Sequence, residues 1–172
     1  EAPVAFWLSG RPVWNDRKLR GGRWHKKIIL FRKSALTFPD FADLLAPGMG
    51  EIEGHYQPIV NGRIGTLNTP YLHECARCFK RWRIKHRGYA RWHAWIIQRR
   101  ASDLSHDEKG FRRFLKRVFY RLPAGFSCRP LIAFLDSYLL KGGFIDGRAG
   151  WAYARARGWY YRQIDREIKN NL

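Results

Sequence analysis

Partway along the chain the spacing of apolar residues switches from short, strand-length runs to helical periodicity, and the charge balance shifts with it. Residues 1–73 hold 10 Lys+Arg against 6 Asp+Glu. Their apolar runs are Ala5-Phe-Trp-Leu8, Lys27-Ile-Ile-Leu-Phe31, Gly50-Glu-Ile-Glu53 and Arg63-Ile-Gly-Thr-Leu67, separated by Gly, Pro and Asn, with the tight-turn dipeptide Asn61-Gly62 between the last two. Runs of this length predict a small sheet with long loops. Residues 74–172 hold 23 Lys+Arg against 8 Asp+Glu, and there the apolar spacing is helical. The sequence therefore predicts an α+β chain: a small mixed β-sheet in 1–73, followed by several basic amphipathic C-terminal helices in 74–172.

Helix signals in the second part are specific. Phe111, Phe114, Leu115, Val118 and Phe119 recur at helical spacing over about 106–121, and Ser105-x-x-Glu108 forms a capping box in front of them. Arg112, Arg113, Lys116, Arg117 and Arg121 fall mostly on the opposite face. A second helix is expected after Pro130, ending at Gly142-Gly143. A third begins near Asp146, a suitable N-cap, and runs to about Lys169 with Trp159, Tyr160, Tyr161, Ile164 and Ile168 as its apolar stripe. A Trp/Arg-rich helical segment lies between Glu74 and Asp103, with nine Lys+Arg and no acidic residue inside it.

Composition narrows the class. With 172 residues, 45% apolar and 16% aromatic, the chain can bury a core and is neither disordered nor collagen-like. A net charge of +19 calls for an anionic partner: nucleic acid, an acidic membrane surface or a phosphate-bearing substrate. Three cysteines, an odd number, point away from a disulfide framework and toward a reducing compartment. The longest apolar runs stop well short of the roughly 18 residues a spanning helix requires. No charged-then-apolar leader is read at the start, and a chain that opens inside a strand-like run is expected to belong to something longer.

Several clusters carry chemistry or its imitation. His73-Glu-Cys75-Ala-Arg-Cys78 offers two thiolates at a metal-binding spacing, but without a second such pair ordinary helix cysteines are the expectation. Lys80-Arg-Trp-Arg-Ile-Lys-His-Arg-Gly-Tyr-Ala-Arg-Trp-His-Ala-Trp95 suits phosphate contact and base stacking. The same mixture suits an interfacial helix, or a solvated basic face over packed aromatics. On a strand, Glu51, Glu53 and His55 alternate onto one face, where a carboxylate can take a proton from a hydroxyl nucleophile; a charged edge strand gives the same pattern.

Five segments in order carry a family resemblance: Leu30-Phe31-Arg32-Lys33; Glu51-x-Glu53-Gly-His55-Tyr-Gln-Pro58; Gly62-Arg-Ile-Gly65-x-Leu67 followed by His73; His86-x-x-Tyr89-x-x-Trp92; and Phe134-Leu-x-x-Tyr138-Leu-x-Lys-Gly-Gly-Phe144-Ile-Asp146-Gly147-Arg-Ala-Gly150. Together they resemble the back half of a bacterial family 2 glycosyltransferase, of the branch that builds lipopolysaccharide cores and lipid-linked sugars.

The resemblance implies the acceptor-side part of a GT-A-like fold and transfer of a sugar from a nucleotide-sugar donor to a lipid-linked or lipopolysaccharide-type acceptor. The family's nucleotide-binding half carries an Asp-x-Asp metal site, and no Asp-x-Asp occurs in residues 1–172. A divalent metal such as Mg²⁺ or Mn²⁺ is therefore expected with that missing half, no cofactor in this chain, and no activity from this chain alone.

Carried over by position, Glu53 is the candidate catalytic base, and Arg32, His55 and His73 are candidate substrate-binding residues. The family often places an acidic residue where this chain has Tyr56. Its His-Asn-Arg-Tyr-Ser pattern, with a Glu shortly after, stands here as His86-Arg-Gly-Tyr-Ala90 with His93, so an Arg and a Glu are lost together. In the Gly-Phe-Ile-Asp-Gly segment a glycine helix stop, a buried Phe144 and a capping Asp146 account for the residues without chemistry. The resemblance also implies a cytoplasmic protein, peripheral on the inner face of a bacterial inner membrane, with Arg112, Arg113, Lys116 and Arg117 facing the anionic surface. A basic nucleic-acid-binding module and a non-catalytic membrane-surface adaptor are the alternatives.

Overall fold

A single long strand organises the sheet. In the computed structural model, which describes residues 1–38, 58–76, 79–98, 118–119 and 128–170, β1 (Ala5–Trp14) is hydrogen-bonded to every other strand of the larger sheet. β2 (Arg17–Lys18) returns from it through Asn15-Asp16, both at positive φ, the conformation of a two-residue hairpin turn. β3 (His25–Phe31) continues antiparallel along the same edge, from Gly10↔His25 to Ala5↔Phe31.

A separate two-stranded ribbon pairs β4 (Leu36–Thr37) with β5 (Ile59–Val60). On the other edge of β1, β6 (Ile64–Thr66) and β7 (Tyr71–Ala76) lie one after the other, both parallel to it. The sheet is thus mixed and the chain α+β. Pro12, which has no N–H to give a ladder, sits past the last β3 partner and before the first β2 partner, and its carbonyl accepts the Leu19 N–H at 2.9 Å.

Three details differ from the sequence expectation. β1 runs on through Gly10 and Pro12 to Trp14 rather than stopping at Leu8. Asn61-Gly62 hands the chain from one sheet to the other, because β5 before it pairs with β4 and β6 after it pairs with β1. β7 crosses the expected boundary at 73/74, so Cys75 is a strand cysteine and not a helical one.

Three helices complete the fold, two of them meeting the sheet at Trp14 and Leu19. α1 (Phe79–Gln98) and α3 (Gly147–Asn170) pack together, and α2 (Cys128–Leu135), extended by a wider turn at Asp136–Leu140, packs on α3. The core joins sheet to helices: Trp14 meets Trp82 and Tyr153 edge-on at 5.7 Å each and, with Leu19, is almost fully buried. Between α1 and α3 the buried contacts are Ala90, Ala94, Ile164 and Ile168, where small side chains let the helix axes approach. Trp159, Tyr160 and Tyr161 are only half-buried, so the tighter apolar stripe of α3 includes Ala154 and Ala156 as well as Ile164 and Ile168. α2 is bound to α3 by a buried ion pair, Arg129 Nη1 to Asp165 Oδ1 at 2.5 Å. No helix of the described residues is long and apolar enough to cross a membrane.

The Gly-Phe-Ile-Asp-Gly turn is the joint between the helices and the loop after β2. Asp146 accepts the backbone N–H of Arg20 (2.8 and 2.9 Å) and of Gly21 (2.7 Å), while the Gly22 N–H donates to the Lys141 carbonyl at 2.8 Å. The carboxylate expected to cap its own helix is therefore spent on a loop far away in sequence. Phe144, expected inside, is 54% exposed: the backbone of Gly142 and Gly143 fills the space against the loop, and the ring turns outward.

Candidate functional site

The pleat of the sheet gathers a group of polar aromatics. Gly10 is paired on one side with His25 and on the other with Tyr71, and Pro12 is paired with His73, so these side chains share one face. Gly10 supplies no side chain, and the Tyr71 ring lies across it; a Cβ there would stand 2.5 Å from the Tyr71 ring and hydroxyl. Through the gap left at Gly10, the His25 and His73 rings approach edge to face at 5.0 Å between centroids, and Tyr71 packs edge-on against His73 at 6.3 Å.

Both imidazoles are held neutral. Burial lowers the His25 pKa to about 3, helped by His73 and by the cations of Arg157, Lys27 and Arg23. His73 is lowered by burial and by Lys27 and Lys85. Burial also raises the phenol of Tyr71 and lifts the Cys75 thiol to about 11; that thiol donates weakly to the His73 carbonyl at 3.5 Å. Cys75 is thus a protonated, inert thiol at neutral pH. The arrangement presents uncharged imidazole nitrogens among fixed cations. Such a site donates hydrogen bonds to an anionic oxygen well, whereas His25 is too weak a base to remove a proton at neutral pH.

The other candidate residues are distributed as follows. Arg32 stands at the far end of β3, where its N–H donates to the Val4 carbonyl at 2.7 Å and its side chain is exposed. Val4 and Pro12 are eight residues apart along one strand, so Arg32 and His73 are separated by roughly 25 Å and do not meet. Glu53 and His55 lie outside the described residues, as do Arg112, Arg113, Lys116, Arg117 and Cys78. Among the described residues no group of three or more His, Cys, Asp or Glu gathers as metal ligands. His25 and Tyr71 escaped the sequence reading. Their signal is faint: it requires knowing that Gly10, a bare position in mid-strand, is flanked by both.

The Trp/Arg-rich segment is α1, and two of its tryptophans turn inward. Trp82 and Trp92 are each 8% exposed. Trp82 stacks on His86 at 3.9 Å, and the His86 Nδ1–H donates to the Trp82 carbonyl at 2.9 Å. His93 Nδ1 donates to the Tyr160 hydroxyl, which donates in turn to the Tyr89 carbonyl, both at 3.3 Å. Part of the pattern that invited base stacking is thus the packing of α1 on α3, with Lys80, Arg81, Arg87 and Arg91 left on the outer face.

Comparison of the chain with protein-family models, with curated proteins and with solved structures finds no match.

Proposed function

We propose that this chain is the acceptor-side part of a family 2 glycosyltransferase with a GT-A-like fold, moving a sugar from a nucleotide-sugar donor to a lipid-linked or lipopolysaccharide-type acceptor at the cytoplasmic face of a bacterial inner membrane. The observation that carries the reading is the state of the sheet. Beyond β1 and its partners no further strand of the described residues covers the outer edge of β3, and Ile29, Leu30 and Phe31 stand exposed there. Large apolar side chains left exposed on an outer strand suit a sheet face that another part of the protein covers. The order of the family-like segments supports it as well, since the most specific of them, Gly-Phe-Ile-Asp-Gly, holds the helices to the sheet.

In this reading Glu53 takes the proton of the acceptor hydroxyl as its oxygen attacks the anomeric carbon, and the bond to the departing nucleoside diphosphate breaks on the opposite side with inversion. His55 and His73 hold substrate oxygens by hydrogen bonds, and Arg32, which does not meet His73, faces phosphate at a separate point of the substrates. The donor's divalent metal belongs to the nucleotide-binding half and supplies charge stabilisation there. A nucleic-acid module draws less support, because Trp82 and Trp92 are engaged in the interior.

The test uses the full-length protein with labelled nucleotide sugars and membrane lipid extract. Transfer of label to a lipid-extractable product is expected, with turnover at least about 100-fold lower for Glu53→Gln at unchanged donor affinity. A full-length protein that binds no nucleotide sugar sinks the reading and favours the adaptor; unchanged turnover in Glu53→Gln removes that residue as base.

A further inference from the structure

One surface combines a bare apolar ridge with a cationic stripe. On the side of α2 and its extension turned away from α3, Leu131, Leu135, Leu139 and Leu140 are exposed, Leu140 by 78%, and the next turn adds Phe144 and Ile145. α3 places Arg148, Trp151, Arg155, Arg162 and Arg166 on its solvent side, at helical spacing along one line. Trp151 joins the two, meeting Phe134 at 4.9 Å and Tyr138 at 5.2 Å on α2.

The carboxylates of the region are all committed elsewhere: Asp136 to Arg23, Asp146 to Arg20 and Gly21, Asp165 to Arg129, and Glu167 to Arg91. Among the described residues, then, the four arginines of the stripe face no acidic partner. A ridge of leucines and a phenylalanine, an indole and a phenol at its border, and a line of exposed guanidinium groups alongside match acyl chains, interface and anionic headgroups in that order.

We infer that the α2–α3 surface docks this protein on an anionic lipid bilayer, with Leu139, Leu140, Phe144 and Ile145 entering the headgroup boundary and Arg148, Arg155, Arg162 and Arg166 lying on the phosphates. The inference deepens the reading above and rests on its membrane-side placement; within the basic region 74–172 it assigns the contact to residues of α2 and α3 other than Arg112, Arg113, Lys116 and Arg117. The committed occupant is the lipid surface because the exposed line of α3 carries charge of one sign and the ridge beside it is built of aliphatic side chains and one phenylalanine, which complements headgroups and acyl chains together.

Flotation with phosphatidylcholine vesicles, with and without about a third phosphatidylglycerol, reads docking without requiring activity, so its failure is distinct from a failure of sugar transfer. The protein is expected to float with the anionic vesicles and to be released as salt rises. Leu140→Ser with Phe144→Ser, both exposed and so harmless to the core, should lower retention about tenfold. Arg155→Gln with Arg162→Gln should release at lower salt. Ile29→Ser with Leu30→Ser, an equal apolar loss on the β3 edge, should leave retention unchanged. Equal retention of all three pairs, equal binding to neutral vesicles, or a salt-resistant dimer that Leu140→Ser with Phe144→Ser converts to monomer would each overturn the inference.

Discussion

The Asp146 carboxylate accepts the backbone N–H of Gly21 at 2.7 Å across 125 residues of chain, and the same group takes the N–H of Arg20. One side chain therefore fixes the loop after β2 to the turn before α3. Asp146→Ala leaves the Gly21 donor without its acceptor and should cost about 2 kcal/mol, while Asp146→Asn keeps an acceptor and should cost about half as much. Urea unfolding of the two variants checks the order; an alanine variant as stable as wild type would show that water replaces the carboxylate fully.

Glycine inside a helix normally weakens it, so Gly150→Ala in an isolated α3 would add stability of about 1 kcal/mol. Here the sign should reverse. A Cβ at Gly150 would stand 1.8 Å from the Gly143 carbonyl oxygen, a backbone atom that cannot swing away. Gly21→Ala meets the Gly142 carbonyl oxygen at 2.0 Å and should be destabilising for the same reason. Thermal melts of both variants are expected to drop, and a rise for Gly150→Ala would mean that the turn is not seated on the helix as described.

Arg129 and Asp165 are both buried, and burial holds the Asp165 carboxyl above its ordinary value even with the Arg129 guanidinium opposing it. Removing one partner takes from the other its nearest opposite charge in the interior. Arg129→Met or Asp165→Leu alone should cost about 3–5 kcal/mol, and the double variant should recover most of that loss. A double-mutant cycle measures the recovery; losses that simply add would show that the pair is not coupled.

The His25 imidazole has its ordinary value near 6.5 when the chain is unfolded, and burial pushes it down to about 3 in the fold. Below pH 6.5 the unfolded chain takes up a proton that the folded chain refuses. The stability contributed by neutral His25 is thus complete above that pH and falls as pH drops toward 3, by up to about 1.4 kcal/mol per pH unit. His73 acts in the same direction. The slope of unfolding free energy between pH 6.5 and 4 should be shallower in His25→Asn than in wild type, and identical slopes would mean that His25 is protonated in the folded protein.

Much of the framework is legible from local pattern. The period of Ile164 and Ile168, Asp146 beside Gly147 and the Gly142-Gly143 stop place the third helix within about a residue of its observed ends at Gly147 and Asn170. The run Lys27–Phe31 lies within β3, and Ile64–Thr66 lies within the strand read at Arg63–Leu67. Other residues read wrongly because their environment is not local. Phe144 has the composition of a core residue and points outward, and Cys75 lies in a strand that its helix-like neighbours conceal.

The sequence by itself determined the division into a sheet-bearing and a helical part, the surplus of positive charge and the approximate bounds of β3, β6 and the three described helices, because strand and helix periods are properties of a few consecutive residues. Only the tertiary structure decided that His25 meets His73 over Gly10, that Asp146 holds a loop rather than its own helix, and that the leucines of α2 stand beside the arginines of α3. Each of these depends on register and on close approach between distant stretches of backbone, and neither is written in the spacing of any one segment.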